Sequence, residues 1–194
     1  MVVSIRSHRS RRFREYALSM LLLAACSSGS NTADVTPGPV RTPSVPTAVD
    51  DVVAAGTQRF PSAQLGTLYR YARGDFKPDV YVYAKSGWRD AQSQAQTFIE
   101  TLDISRRRGE FDSYQILLNQ AITVTAGPRS LPGHEVIFRM TRRNEVRESY
   151  FAVVALDDQY VKFRITQTLD PTATAKAREF ARRWVALYVG EPTS

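Results

Sequence analysis

From residue 67 onward the chain alternates apolar and polar positions in two different periods, and the changes of period mark out its elements. Thr67 to Arg73 and Asp79 to Lys85 alternate every second residue, with Gly74-Asp75 and Pro78 between them, which predicts a β-hairpin. At Trp88 the period lengthens: Trp88, Ala91, Ala95, Phe98, Ile99 and Leu102 recur every three or four residues, lining one face of a helix behind a Ser86 cap. After Gly109 the two-residue period returns. Tyr114 to Thr125 is rich in branched residues, and Gly127-Pro128 and Pro132-Gly133 break it. His134 to Arg142, Val146 to Leu156 and Tyr160 to Thr168 follow as three strands, joined by connections short enough only for antiparallel neighbours. Val161, Phe163 and Ile165 point one way while Lys162, Arg164 and Thr166 point the other, so one face is buried and one wet or lightly covered. Asp170-Pro171 then opens a helix whose stripe is Ala173, Ala177, Phe180, Ala181, Trp184, Leu187 and Tyr188, ending near Gly190. The order β-β-α-β-β-β-β-α predicts an α+β fold in which an antiparallel sheet of about six strands is covered by helices.

The first fifty residues obey neither period. An arginine-rich start leads into an apolar run from Tyr16 to Ala25 and then small residues, the order that export requires. The run is far short of the about 20 residues that span a bilayer, so it predicts a signal segment. Leu23-Ala24-Ala25-Cys26 closes it and resembles the lipobox of bacterial lipoproteins. That resemblance implies cleavage before Cys26, diacylglycerol on its thiol and acylation of the new amine, an anchor of two or three chains that holds where one would not. Ser27 and Ser28 stand where an Asp would resemble an inner-membrane retention signal, so the resemblance implies the outer membrane, facing the periplasm, in an organism with two membranes. Pro37, Pro39, Pro43 and Pro46 lie among Ser, Thr and Gly up to Asp50, a composition that cannot bury enough surface to offset its ordering entropy. The expected domains are a signal peptide over 1–25, a lipidated cysteine and tether over 26–50, and one globular domain over 51–194.

Charge and cysteine usage narrow the function. Of the formal +7, five arginines against Glu15 put +4 in the leader, leaving +3 on the rest, too little to suggest a nucleic-acid partner. With Cys26 the only cysteine, no intramolecular disulfide, Cys-rich metal site or Cys-x-x-Cys redox pair can form. His134 is the only histidine outside the leader, and its place at a strand start suits a hydrogen-bonded or solvated side chain rather than a catalytic base. Tyr69, Tyr71, Tyr81 and Tyr83 alternate on the two hairpin strands and are expected on one face, as a cross-strand ladder or a recognition surface. The clusters Arg106-Arg107-Arg108, Arg142-Arg143 with Arg147, and Arg182-Arg183 stand close to Glu110, Glu145, Glu148 and Glu179, which predicts mixed-charge surface. Asp157-Asp158 suits a turn.

Tyr150 to Leu156 and Tyr160 to Thr166, with the helix that follows, resemble the PsbP-like family of small α/β sandwich proteins, which includes bacterial lipoproteins without known activity. The resemblance covers about the last hundred residues and implies a PsbP-like sandwich. No phosphate loop, paired-carboxylate motif or nucleophile elbow occurs, so no cofactor, metal or catalytic residue is expected. The expected function is a non-catalytic binding or assembly module of the cell envelope, with the bilayer and an envelope protein or polymer as partners. An envelope hydrolase with scattered acidic residues is the rival.

Overall fold

The computed structural model describes residues 44–62, 64–85 and 90–190. The leader, Cys26, Ser86 and Trp88 lie outside them. The elements run β1 (Ala48–Val49), β2 (Val52–Arg59), β3 (Thr67–Ala72), β4 (Asp79–Ala84), α1 (Ala91–Arg107), β5 (Ser113–Ala126), β6 (Arg129–Arg142), β7 (Glu145–Ala155), β8 (Gln159–Thr168) and α2 (Ala173–Val189). The strands make one antiparallel sheet in the order β1-β2-β3-β4-β8-β7-β6-β5. The fold is α+β, and the sheet has eight strands where the sequence pattern predicts six. The two additional strands come from residues that no period reveals. β2 reads Val-Val-Ala-Ala-Gly-Thr-Gln-Arg and is exposed beyond its first residue, and β1 is a two-residue strand inside the segment expected as tether.

That short strand is firmly held. Val49 is buried, and the Pro46 carbonyl accepts a 2.7 Å hydrogen bond from the Tyr71 hydroxyl. Strand β1 thus lies within the stretch 26–50 that the sequence pattern assigns to the tether.

Two other boundaries move. α1 starts at Ala91, where Asp90 accepts from the Ser93 amide at 2.8 Å and supplies the cap expected of Ser86. β6 begins at Arg129 and runs through Pro132-Gly133, which the sequence reading treats as a break. Pro132 pairs with Thr123 of β5, but the ladder to β7 starts only at Gly133, so the missing amide of Pro132 lies where one side of the strand is free. Gly133 is there because a Cβ would stand 2.7 Å from the Val153 carbonyl. α2 begins at Ala173 with Thr172 at its cap position, where the Asp170 carboxylate accepts from the Thr172 amide at 2.8 Å, and it ends on left-handed Gly190.

One helix covers each face of the sheet. On one side α2 buries Phe180, Ala181, Trp184 and Tyr188 against Val80, Val154, Val161, Phe163 and Ile165. Trp184 packs edge-on to Phe163 and stacked on Tyr188, with its indole N–H donating to the Tyr71 hydroxyl at 2.8 Å. On the other side α1 lies over β5, β6 and β7, where Phe98 stacks on Phe151 at 3.9 Å between ring centres and meets Phe138.

Candidate functional site

The register of β3 against β4 decides what the hairpin tyrosines can do. Tyr69 pairs with Val80 and Leu68 with Tyr81, so odd positions of β3 share a face with even positions of β4. The expected four-tyrosine ladder is therefore divided between the two faces. Tyr69 and Tyr71 lie on the α2 side, where burial pushes the Tyr71 hydroxyl up to about 12. Tyr81 and Tyr83 lie on the α1 side.

On the α1 side the ladder places His134, Val153, Lys162 and Tyr81 in one row across β6, β7, β8 and β4. The Lys162 ammonium sits 4.3 Å from the Tyr81 ring centre and 5.5 Å from that of Tyr83, and Lys85 sits 5.3 Å from that of Tyr160. Burial, and then the neighbouring Arg164, lower the Lys162 ammonium to about 8. Arg164 occupies the adjacent row, across from Asp79 of β4 and beyond it Arg70 of β3. The first turn of α1 closes over this end. Gln94 Oε1 accepts a hydrogen bond from the Tyr83 hydroxyl, and the Tyr83 and Tyr160 rings stand 6.0 Å apart.

One buried polar atom in this region, on His134, has no hydrogen-bond partner. His134 is 6% exposed; its Nε2 lies 2.7 Å from Asn119 Oδ1. Because the amide oxygen can only accept, Nε2 carries the proton and Nδ1 is an acceptor, which is buried and unpaired. Gln94 is 7% exposed; its Oε1 serves Tyr83, and its side chain also hydrogen-bonds the Tyr160 hydroxyl. Burial lowers the His134 pKa, against the charges of Asp90 and Glu135.

Beside this cluster a shallow, open depression of about 490 Å³ is lined by Lys85, Arg129, Leu131, Pro132, Leu156 and Asp157. The Arg129 guanidinium bonds both oxygens of Asp157 at 2.8 and 2.9 Å, so Lys85 is the cation that joins the depression to the tyrosine rings.

The remaining predicted groups fall elsewhere. His134 and Glu135 are successive residues of β6, so they face opposite sides of the sheet, and Glu135 is bonded by Arg178 and Gln120 on the α2 side. Among the described residues no group of three or more His, Cys, Asp or Glu could hold a metal ion. Arg182 and Arg183 pair with Glu179, and Arg147 with Glu145, which makes these clusters mixed-charge surface. Sequence reasoning missed Lys162 and Lys85 as partners of the tyrosines. The alternation of β8 had already put Lys162 on the opposite face from Phe163, but its tyrosine neighbours follow only from the register between β4 and β8.

No protein-family model and no curated protein matches this chain. Among solved structures it is similar to cyanobacterial PsbP (CyanoP) from Synechocystis, at 13% identity and a TM-score of 0.44 over 63% of this chain and 75% of that one. A protein of unknown function from Pseudomonas aeruginosa is similar at 11% identity and a TM-score of 0.38, over 77% of this chain and 90% of that one.

Proposed function

We propose that this chain is a lipid-anchored protein of the bacterial cell envelope, and that its domain is a non-catalytic module binding an anionic envelope component. The anchoring half rests on Leu23-Ala24-Ala25-Cys26 behind an arginine-rich, apolar leader, and places the protein on the periplasmic side of the outer membrane where two membranes exist. Among the described residues no helix is long and apolar enough to cross a membrane. Element order and apolar pattern support reading the domain as PsbP-like.

The observation that carries the binding half is the row of cations on aromatic rings, Lys85 on Tyr160 and Lys162 on Tyr81 and Tyr83, with Arg164 beside them. An ammonium already stripped of much of its water loses little more when an anion approaches, and flat rings with polar tips suit recognition. The rival hydrolase would gather several acidic residues around His134, whereas the strand alternation turns Glu135 to the opposite face and leaves Asp90 as the carboxylate whose charge reaches the imidazole on its own side.

The two halves are tested separately. Intact-mass analysis of the mature protein is expected to find lipid on Cys26, and Cys26→Ser is expected to move the protein to the soluble fraction; an unmodified thiol overturns the anchor. With inorganic polyphosphate as probe, Lys85→Ala combined with Lys162→Ala is expected to weaken binding by about tenfold or more. Binding to the unaltered protein is also expected to weaken as pH rises through about 8, where Lys162 loses its proton. Equal binding by both proteins, or a flat profile between pH 7 and 9, overturns the site.

A further inference from the structure

The two outer strands of the sheet are built on opposite plans. At one edge β1 covers the start of β2, and β2 carries a bulge between Ala54 and Gly56 and ends in Arg59. Natural sheets blunt exposed edges by just such cover, irregularity and charge. At the other edge lies β5, Ser113–Ala126, reading Ser-Tyr-Gln-Ile-Leu-Leu-Asn-Gln-Ala-Ile-Thr-Val-Thr-Ala. It contains no charged residue, no proline and no glycine. It pairs with β6 on one side, and among the described residues no strand pairs with the other. Its single irregularity falls between Ile116 and Leu118, which leaves Leu118 to Ala126 as an unbroken run of nine residues, about 30 Å of ladder.

We propose that this edge pairs antiparallel with β5 of a second copy of the chain, about a two-fold axis at Ile122, midway between Leu118 and Ala126. The absence of charge is what selects a second copy as the occupant. In a two-fold antiparallel pair the axial residue faces its own copy and positions equally far from it face each other, so a strand carrying charges of one sign there would set like against like. A strand without charge is compatible with itself, and it offers nothing by which a partner of opposite charge would be chosen. The register also sets only uncharged residues against one another. Ile122 stands opposite its own copy, Ala121 opposite Thr123, Gln120 opposite Val124, and Asn119 opposite Thr125. Partners in each pair have the same parity and so share a face, which keeps the half-buried Leu118, Ile122 and Val124 on the α2 side of both copies. Leu117, bulged out of the ladder and 39% exposed, lies just beyond the paired run.

Sedimentation equilibrium of the purified full chain in density-matched detergent tests this. The chain is expected to show the mass of two copies, falling to one on dilution, with the β5 amides protected from hydrogen exchange only at the higher concentration. Ala121→Lys with Thr123→Lys sets ammonium against ammonium twice across the axis and is expected to weaken dimerisation by about tenfold. Ala121→Lys with Thr123→Glu sets lysine against glutamate twice and is expected to restore it. Both positions are exposed, so the thermal midpoint of the monomer should not move, which separates lost pairing from lost folding. A single-chain mass at every concentration overturns the proposal, as does equal dimerisation of all three proteins. A monomer whose β5 crosslinks only to a different envelope protein also overturns it.

Discussion

The two faces of the sheet satisfy their polar groups differently. Under α2, Glu135 is 2% exposed, and its oxygens accept from Arg178 Nε at 2.9 Å, Arg178 Nη2 at 2.6 Å and Gln120 Nε2 at 2.8 Å. Glu148 accepts from the Thr174 hydroxyl at 2.5 Å, Gln167 donates to the Ala173 carbonyl at 2.6 Å, and the Tyr188 hydroxyl donates to Gln159 at 2.9 Å. Under α1 the buried imidazole of His134 keeps its Nδ1 unpaired, and the nearby ammonium groups rest on rings. A paired polar group fixes a helix to a sheet, whereas an unpaired one costs stability and is kept only where something else requires it. The α2 side therefore ties its helix to the sheet through paired polar groups, whereas the α1 side relies on aromatic packing and leaves the His134 acceptor unanswered.

The strongest way to break this comparison is at Trp184, which is fully buried among Phe163, Tyr188 and Tyr71. Trp184→Ala is expected to cost about 3–5 kcal/mol, since it removes the largest side chain of that core and leaves the Tyr71 hydroxyl without its donor. Denaturant titration measures it. A loss below about 1 kcal/mol would mean that α2 is not the fold's main support.

Arg178 comes next. Its side chain is 44% exposed, but Glu135 is buried, so Arg178→Ala strands a carboxylate and is expected to cost about 3 kcal/mol, the lower end for a broken buried pair. Replacing both, Glu135→Leu with Arg178→Leu, is expected to fall within about 1 kcal/mol of the unaltered protein. A double variant as unstable as the single one would show that the pair does more than neutralise itself.

How much of this could be read from the chain depends on what each feature needs. Helices α1 and α2 and strands β5 to β8 announce themselves, because a buried stripe in a helix and alternation in a strand are properties of single segments. β1 and β2 do not, since a two-residue strand is too short for a period and β2 is exposed on both faces. The tyrosine faces were out of reach for another reason. Arg70 pairs with Asp79, so the connection joins an even position to an odd one and sends two pairs of odd-numbered tyrosines to opposite sides. A register shifted by one residue would have brought all four together. Glu135 is a polar letter in an alternating strand, and only Arg178, 43 positions later, gives it a role.

The smallest expected effect is the most informative about the α1 side. Burial lowers the His134 pKa below its ordinary value, so on acidification the unfolded chain takes up a proton that the native protein resists. More protons bound in the unfolded state means that stability rises with pH, so it is complete above about 6.5 and declines as pH falls below that value. Other native-state carboxylates lose their contribution in a different range. Asp170, bonded by the Thr172 amide and Lys176, and Glu179, bonded by Arg182 and Arg183, are both held down to about 2, so what they add is lost only as pH falls from about 4 towards 2. The interval between pH 6.5 and 5 thus isolates the imidazole. Thermal midpoints of the unaltered protein are expected to fall across it, while those of His134→Leu should stay level. At pH 7.5 that substitution should cost less than about 1 kcal/mol, because it removes an unpaired acceptor together with its hydrogen bond to exposed Asn119. If His134→Leu instead destabilised the protein as much as Arg178→Ala, His134 would be a support of the fold like its neighbour Glu135, and the contrast between the two faces would collapse.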